Sequence, residues 1–424
     1  MELILKNGFI IDVNNKEIKG SDVLIKDGLI EEIDDNIEVD NIEVIDISGK
    51  YIAPGFVDIH VHFREPGYEY KETIKTGSMA AAKGGFTSVA VMPNTKPVID
   101  SVDNLKILKS IIDKDSIIKV LPIGAVTEKE EGLMLTEIEE MFKEGIYAIS
   151  DDGKPIMDKE IMEKAMKKAR DLGIPILIHS EDENYVNDGC INEGMISEKL
   201  KLKGISREAE NKMIERDIEI AKRLDKPIHI CHISTKESVE MIRKAKKEGI
   251  KVTCEVTPHH FAITEKVVLE KGAIGKVNPP LRTDEDVKEI IQGIKDGTID
   301  IIATDHAPHS MDEKQLSLDK APFGLSGIEL ALPLAIRELV DKGIIDIFKL
   351  VELMSTKPRE IIGIEGGHIA KGNTADLTVI DLDEEYILKE EDMVSKGKNT
   401  PFIGDKLKSK VKYTLVNGKI VYRG

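Results

Sequence analysis

Short apolar runs alternate with charged, amphipathic segments along most of the chain, and the alternation repeats eight times. In chain order the apolar runs are GFVDIHV, FTSVAVMP, IIKVLPIGAV, IYAIS, IPILIHS, KPIHICHIS, KVTCEVTP and DIIATDH. Most are followed by segments such as DKEIMEKAMKKARDL, in which apolar residues recur at helical spacing. Eight strand and helix units predict an α/β fold, a closed parallel (β/α)8 TIM-like barrel. An open doubly wound sheet is the alternative, but no glycine-rich phosphate fingerprint follows the first strand.

The two ends of the chain have a different pattern, with short β-rich runs separated by Gly, Asn and Asp. Near the C-terminus the pair Asn417 and Gly418 is a strong signal for a tight turn. Each end is too short to bury both faces of a sheet by itself. We therefore predict that residues 1–52 and 370–424 form one composite β-sandwich domain, and that residues 53–369 form the barrel domain.

Histidine and aspartate residues stand at the ends of the predicted barrel strands. His60 and His62 lie two residues apart at the end of the first strand, so both imidazoles face the same side. The other candidates are Asp152 after the fourth strand, His179 at the end of the fifth, His232 at the end of the sixth and Asp305 at the end of the eighth. Parallel strand ends meet at one mouth of a barrel, where imidazoles and carboxylates can hold a metal ion. The pattern predicts a metal-dependent enzyme.

Strand alternation separates His232 from His229, because residues three apart on a strand face opposite sides. We assign His232 to the barrel mouth and His229 to the packing between sheet and helix. Asp58 shares the face of His60 and His62, and is expected to orient one of these rings by hydrogen bonding. For His259 and His260, a contact with substrate and a role in fixing the loop both remain open.

Composition narrows the choice of partners. The chain has 60 basic and 78 acidic residues and a net charge of −18, which disfavours binding to nucleic acid or to anionic membranes. An anionic substrate would need a local cation. Arg64 is two residues beyond His62 and lies on the same strand face if the extended geometry persists, where it could hold a carboxylate. The three cysteines are interpreted as small buried residues. Because the sequence has no export signal and no apolar segment of bilayer length, we expect a cytoplasmic protein.

Several motifs occur in the order and at the spacings of one enzyme family. They are DIHVHFREPG at 58–67, MPNT at 92–95, SDDG at 150–153, NPPLR at 278–282 and ATDHAPH at 303–309. Together with the histidines at the strand ends, they resemble the type I dihydroorotases of the amidohydrolase superfamily. The resemblance covers nearly the whole chain. It implies the reversible, metal-dependent interconversion of N-carbamoyl-L-aspartate and dihydroorotate in pyrimidine biosynthesis.

The resemblance also implies a metal site with two Zn²⁺ ions in each subunit. In this interpretation one zinc is held by His60, His62 and Asp305, the other by His179 and His232, and Asp152 and a hydroxide bridge the two. Hydantoinases, allantoinases and the animal dihydroorotases use a carboxylated lysine as the bridge. The fourth strand here, IYAISDDG, has no lysine at that position. Asp151 is the competing candidate for the bridging ligand.

By the same resemblance, Asp305 is the catalytic proton carrier, acting first as base and then as acid. The residues expected to bind substrate are Arg64, Asn94, Asn278, His309 and the backbone of Phe323 and Gly324. Arg64 would bind the substrate carboxylate. The polar stretch 310–322 is compatible with a mobile lid that excludes water and equally with an ordinary surface loop.

Two other functions remain as alternatives. One is a different cyclic amidohydrolase, similar to hydantoinase or allantoinase, and the other is a catalytically silent scaffold that keeps the barrel. Arg64 and the absence of the bridging lysine favour dihydroorotase over the first. All six ligand positions are filled, which disfavours the second. The expected partner is a small-molecule substrate, while a homo-oligomer and an association with aspartate carbamoyltransferase remain open.

Overall fold

The computed structural model describes residues 2–424. Its strands are β1 (Glu2–Asp12), β2 (Glu17–Lys26), β3 (Leu29–Asp34), β4 (Glu43–Asp46), β5 (Tyr51–Pro54), β6 (Phe56–Val61), β7 (Phe86–Val91), β8 (Lys119–Gly124), β9 (Ala148–Ile149), β10 (Leu177–Ile178), β11 (Ile191–Asn192), β12 (Gly204–Ile205), β13 (Ile228–Ile230), β14 (Val252–Val256), β15 (Ile301–Ile302), β16 (Leu377–Ile387), β17 (Lys406–Val416) and β18 (Lys419–Arg423). Its α-helices are α1 (Ile74–Lys83), α2 (Val102–Asp115), α3 (Ile138–Glu144), α4 (Lys159–Leu172), α5 (Met195–Leu200), α6 (Arg207–Leu224), α7 (Lys236–Lys247), α8 (Pro258–Ala262), α9 (Val268–Lys271), α10 (Asp284–Asp296), α11 (Met311–Lys314), α12 (Ala331–Ala335), α13 (Ile347–Val351) and α14 (Lys357–Ile362). Between residues 2 and 424 there is no helix with the length and apolar character needed to span a bilayer.

Eight parallel strands form the barrel. They lie in two four-stranded sheets, with the orders β6-β7-β8-β9 and β10-β13-β14-β15. A parallel bridge between Ile149 and Ile176 joins the two sheets at one seam, and a bridge between Val61 and His306 closes the other. Each strand falls within one of the eight apolar runs, so the predicted barrel is confirmed.

The helices around the barrel form where the sequence supplies both an apolar face and end caps. In α4 the side chain of Asp158 accepts hydrogen bonds from the backbone N–H groups of Glu160 and Ile161, and Gly173 ends the helix in the left-handed conformation. The residues buried on this helix are Met162, Ala165, Met166 and Ala169, at spacings of three and four. A polar helix of this kind buries one stripe against the barrel and leaves the other faces in solvent.

The two ends of the chain share a second sheet. Its strand order is β18-β17-β16-β5-β1-β2-β3, and β4 also pairs with β1. The N- and C-terminal segments meet where β16 runs antiparallel to β5, with Leu377 opposite Pro54. A common buried cluster includes Leu3, Ile25, Ile52, Leu377 and Leu415. The ends therefore form one composite β domain, as predicted, with all eight strands joined in one hydrogen-bonded network. The exact boundaries at residues 52 and 370 stay a prediction.

The connection between β16 and β17 leaves this sheet and lies against the barrel. The hydroxyl of Ser395 donates a 2.5 Å hydrogen bond to Glu72, and the side chain of Asn399 accepts one from the backbone N–H of His309. Both Ser395 and Asn399 are fully buried. The terminal domain thus contributes residues to the side of the barrel where the candidate ligands lie.

Candidate metal centre and active site

The six residues predicted as metal ligands meet at the carboxyl ends of the barrel strands. Three groups of possible ligands have all their ligand atoms within 4.8 Å of one another, and two of them consist wholly of predicted ligands: His60, His62 and Asp305 form one, and Asp152, His179 and His232 form the other. The third group combines His60 and Asp152 with Cys231. All six residues are buried. Segments separated by up to 245 positions in the sequence are therefore brought to one point, as the barrel prediction requires.

Asp152 lies between the two groups. Its Oδ1 is 3.3 Å from His60 Nε2, 3.6 Å from His179 Nδ1 and 3.5 Å from His232 Nε2. Its Oδ2 is 3.4 Å from His62 Nε2. Asp152 thus lies close to histidines of both groups, as expected of a bridging ligand.

The neighbouring Asp151 points elsewhere. Its Oδ1 accepts hydrogen bonds from the backbone N–H groups of Val126, at 2.7 Å, and Thr127, at 3.0 Å, and its Oδ2 accepts one from the Thr127 hydroxyl. These three bonds fix the loop after β8. Asp151 is therefore occupied in supporting the backbone, and this geometry favours Asp152 as the bridge.

The donor set fits divalent cations. His60 Nε2 and Asp152 Oδ1 are buried, and neither has a hydrogen-bond partner among residues 2–424. Burying such groups without a partner is costly, and a cation placed between them would satisfy both. Imidazole nitrogen and carboxylate oxygen are the ligands that zinc accepts together in catalytic sites.

Electrostatics in the cluster favour a positive charge. Burial lowers the pKa of His60, but Asp152 and Glu255 more than offset this and hold the pKa well above its ordinary value. Burial also opposes protonation of His179, yet its contacts with Asp152 and Glu181 raise the pKa to about 10. The pKa of Asp152 is held well below its ordinary value because His60, His179 and His232 outweigh its burial. Without a cation the site binds protons, and a metal ion would take their place.

Two of the candidate ligands have unusual backbone conformations. His232 has φ of 31° and Asp305 has φ of 46°, a positive φ that is uncommon for residues other than Gly, although Asn, Asp and His adopt it more often than most. The strands before them end at Ile230 and Ile302. Strand alternation favours His232 over His229, and the structure places His232 among the candidate ligands, at a position with positive φ just after the strand. Strain of this kind is common at functional sites.

The carboxylate that orients the His60 ring is Glu255, which the sequence analysis missed. Glu255 Oε1 lies 2.5 Å from His60 Nδ1 and accepts a hydrogen bond from the backbone N–H of His232 at 3.2 Å. Asp58, the predicted partner, instead accepts from the backbone N–H of His60 and from Thr304. The expectation for Asp58 is therefore wrong. The available signal was a single glutamate inside the apolar run KVTCEVTP.

His229 also differs from its prediction. It is buried, but its Nε2 lies 3.0 Å from Glu255 Oε2 and its Nδ1 lies 2.9 Å from the Thr253 hydroxyl. It therefore belongs to a polar network around Glu255, behind the metal cluster. His260 has a loop-fixing role, since its two ring nitrogens contact the Thr257 hydroxyl and the carbonyl oxygen of Pro279.

A cavity of about 160 Å³ opens beside the cluster. It is lined by His62, Arg64, Asn94, Asp152, Gly153, His179, His232, Asn278, Asp305, Ala307, Phe323 and Gly324. Eleven of the twelve predicted site residues are either cluster members or lining residues, and His309 lies directly behind, with its Nε2 2.7 Å from the carbonyl oxygen of Phe323. The structure thus gathers every predicted site residue around one cavity.

Arg64 reaches the cavity by a route that the sequence did not indicate. Strand β6 ends at Val61, and Arg64 has φ of 62°, so the extended geometry assumed for it does not continue. Its Nε donates to the carbonyl oxygen of Pro308 at 3.2 Å, and Nη2 lies 3.2 Å from His309 Nε2. Burial lowers the pKa of Arg64, while Asp305 and Asp152 favour its charged form.

The two asparagines have different surroundings. Asn94 Oδ1 lies 3.0 Å from His62 Nδ1, and its Nδ2 donates to the backbone carbonyl of Asp152 at 3.1 Å. Asn94 thus holds a ligand ring in place as well as lining the cavity. Asn278 Nδ2 donates to Glu181, whereas its Oδ1 is buried without a partner among the described residues. That oxygen is available to accept a hydrogen bond from a bound molecule.

The stretch 310–322 is ordered around helix α11. Lys314 Nζ donates to the carbonyl oxygens of Lys276, Pro322 and Gly324, and Lys276 Nζ donates to those of Leu318 and Ala321. These bonds tie both sides of the loop to the rim. Whether the loop opens for substrate stays a prediction.

A larger cavity of about 240 Å³ lies between α1 and the strands β16 and β17. Its lining includes Lys83, Glu329, Tyr386 and Tyr422, and it contains no histidine. Size alone would select this cavity. The cavity of about 160 Å³ is the candidate active site, because five of the six candidate ligands line it together with Asn278, whose Oδ1 has no partner among the described residues.

Comparison with known proteins gives a consistent family. Residues 49–238 match the family model described as "Dihydro-orotase-like". A dihydroorotase of Caldanaerobacter subterraneus subsp. tengcongensis is 48% identical over 423 residues, covering 100% of this chain and 98% of that protein, and one of Bacillus cereus is 46% identical, covering 100% and 99%. Among solved structures, L-hydantoinase (dihydropyrimidinase) from Arthrobacter aurescens superimposes with a TM-score of 0.90 at 26% identity, covering 100% of this chain and 96% of that one. The chain belongs to the dihydroorotase family.

Proposed function

We propose that this protein is a zinc-dependent dihydroorotase that interconverts dihydroorotate and N-carbamoyl-L-aspartate. The observation that carries the proposal is a half-buried arginine, Arg64, which lines the same cavity as the metal cluster. A protein with a net charge of −18 repels anions at long range, so a cation in the cavity wall would be needed to bind an anionic group. The carboxylate of dihydroorotate has that chemistry, while an unsubstituted hydantoin ring has no such group.

The proposed metal site has two zinc ions. His60, His62 and Asp305 would hold one, His179 and His232 the other, and Asp152 would bridge them. Bound zinc lowers the pKa of water to about 7 and polarises a carbonyl group, which supplies the nucleophile and stabilises charge on the amide oxygen. The proposal is supported by the distances from Asp152 to all four histidines and by the unpartnered atoms in the cluster.

The protein side chains would bind substrate and move the proton. Arg64 would hold the substrate carboxylate, and Asn278 Oδ1, which is buried and unpartnered, would accept a hydrogen bond from a ring N–H. Asp305 faces the cavity with its Oδ1 3.0 Å from His62 Nε2. It would take a proton from the attacking water and deliver it to the ring nitrogen as the amide bond breaks. In the cyclisation direction the same carboxylate would act in reverse.

The test combines metal analysis with an assay of ring opening. The purified protein should contain zinc and should open dihydroorotate, and it should act far more slowly on hydantoin and on allantoin. Asp305→Ala should retain the fold and lose turnover. A preference for hydantoin would reassign the chain to another cyclic amidohydrolase activity, and a folded, metal-free protein with no turnover would indicate a silent scaffold. Near-normal turnover of metal-loaded Asp305→Ala would remove this residue from proton transfer.

A further inference from the structure

Asn399 stands out among the buried polar residues because all of its side-chain hydrogen-bonding capacity is used at the rim of the candidate site. Its Oδ1 accepts from the backbone N–H of His309 at 2.9 Å and from the Ser326 hydroxyl at 3.0 Å. Its Nδ2 donates to the carbonyl oxygens of Gly324, at 3.0 Å, and Ala307, at 3.4 Å. Asn399 is fully buried and comes from the connection between β16 and β17, outside the barrel.

These four bonds fit only one orientation of the amide group. Turning the amide over would place its NH₂ group against the N–H of His309 and its oxygen against two carbonyl oxygens. Asn399 therefore bonds three backbone groups on two segments: the N–H of His309 and the carbonyl of Ala307 on one, and the carbonyl of Gly324 on the other. It fixes their separation more closely than apolar packing would.

The two segments joined by Asn399 have little room to adjust. Gly324 has φ of 125°, and a Cβ atom built on it would lie 2.7 Å from the Cβ of Ala307 and 3.2 Å from His309 Nε2. The ring of His309 also contacts the carbonyl oxygen of Phe323. The gap between the segments is therefore close to contact distance, so a small displacement of either one changes the wall of the cavity.

We propose that Asn399 is a positioning residue for substrate binding, through which the terminal β domain sets the spacing between His309 and the Phe323–Gly324 backbone. This inference rests on the proposed dihydroorotase function. Among the described residues, the hydrogen bonds of the Asn399 side chain go to His309, Ser326, Gly324 and Ala307 and to none of the six candidate ligands. Its loss should therefore weaken substrate binding while the metal site stays intact.

The test compares Asn399→Ala and Asn399→Asp with the wild-type holoenzyme. We expect KM for dihydroorotate to rise about tenfold or more in Asn399→Ala, with kcat within about threefold of wild type. Asn399→Asp keeps the oxygen that faces His309 and places a second oxygen against the Gly324 carbonyl, so it should show a comparable loss. Binding of orotate, a planar analogue that cannot be ring-opened, should weaken in parallel at unchanged zinc content. The variants should stay folded, with a lower melting temperature because buried partners of Asn399 lose their hydrogen bonds.

The control is Thr400→Val. Thr400 is the adjacent buried residue, and its hydroxyl has no hydrogen-bond partner among residues 2–424. This variant should keep the wild-type KM and orotate affinity, whereas Ser326→Ala, which removes one bond to Asn399, should show a smaller rise in KM.

Three results would overturn the proposal. They are unchanged KM and orotate affinity in both folded Asn399 variants, a fall in kcat alone, and loss of folding in both variants, which would make Asn399 a structural residue. Absence of dihydroorotate turnover in the wild type would refute the proposed function itself, independently of the variants.

Discussion

Replacing Glu255 with glutamine tests whether the network behind the cluster sets metal affinity. Glu255 is fully buried and lies 2.5 Å from His60 Nδ1. Although burial opposes its ionisation, His60 and His229 hold its pKa below the ordinary value, so the carboxylate is charged at neutral pH. Glutamine has the same shape and still offers an oxygen to His60, but it carries no charge. Glu255→Gln therefore isolates the electrostatic part of the interaction.

The expected loss of zinc affinity depends on which contacts of Glu255 each variant removes. Loss of a carboxylate that orients a histidine ligand lowers metal affinity by about 10- to 100-fold, or about 1.4 to 2.7 kcal/mol. Glu255→Gln keeps an acceptor for His60, so we expect a loss near the lower limit. Glu255→Ala also removes the acceptor for the backbone N–H of His232, so its loss should lie near the upper limit.

Competition with a chromophoric zinc chelator measures this affinity without relying on turnover. The matched control is Asp217→Asn, because Asp217 is an equally buried carboxylate on α6 whose partner is Arg216. It should change zinc affinity by less than about twofold, the scatter expected for a site outside the network. Wild-type zinc affinity in a folded Glu255→Gln protein would refute the argument that this carboxylate charge supports the metal site.

Three further predictions concern single side chains. Arg64→Met should raise KM for dihydroorotate by about 30-fold at unchanged zinc content, since a charge-assisted hydrogen bond contributes about 2 kcal/mol; an unchanged KM would exclude the carboxylate grip. Asp152→Asn should lower bound zinc, measured by elemental analysis, more than Asp151→Asn does, and the opposite order would assign the bridge to Asp151. Burial raises the pKa of Glu130 from 4.5 to about 9, so the folded protein keeps a proton that the unfolded chain releases, and stability falls as pH rises through this range. Glu130→Gln should therefore raise the melting temperature at pH 8 and have little effect at pH 5, and equal effects at both pH values would contradict the assignment.

The barrel could be predicted because its strands are buried on both faces. Every residue of β6 and of β7 is buried, and such strands appear in a sequence as continuous apolar runs. The extent of each strand was not predictable. The run IYAIS forms regular strand pairing only at Ala148–Ile149, because the chain turns toward the mouth immediately afterwards. The short pair β11 and β12 was also missed, since each strand has only two residues.

The candidate ligands were predictable for a related reason. A histidine or aspartate at the end of an apolar strand contrasts with its neighbours, and the barrel fixes where those ends meet. The direction of each side chain was harder to predict, because His232 and Asp305 have left-handed backbone conformations after their strands end. Sequence patterns with a period of two cannot report such a turn.

Glu255, which contacts a candidate ligand, and Asn399, which bonds the rim of the cavity, were harder to identify from the sequence. Glu255 contacts a ring 195 positions away, and Asn399 contacts backbone groups 90 and 75 positions away. Neither belongs to a periodic pattern, and the bonds of Asn399 go to backbone atoms, which have the same chemistry at every position. The partners of such a polar residue are determined by the tertiary structure, so its role can be inferred only once the folded structure is known. For that reason a metal site could be predicted from spacing, whereas the role predicted for Glu255 in metal affinity and the one proposed for Asn399 in substrate affinity required the structure.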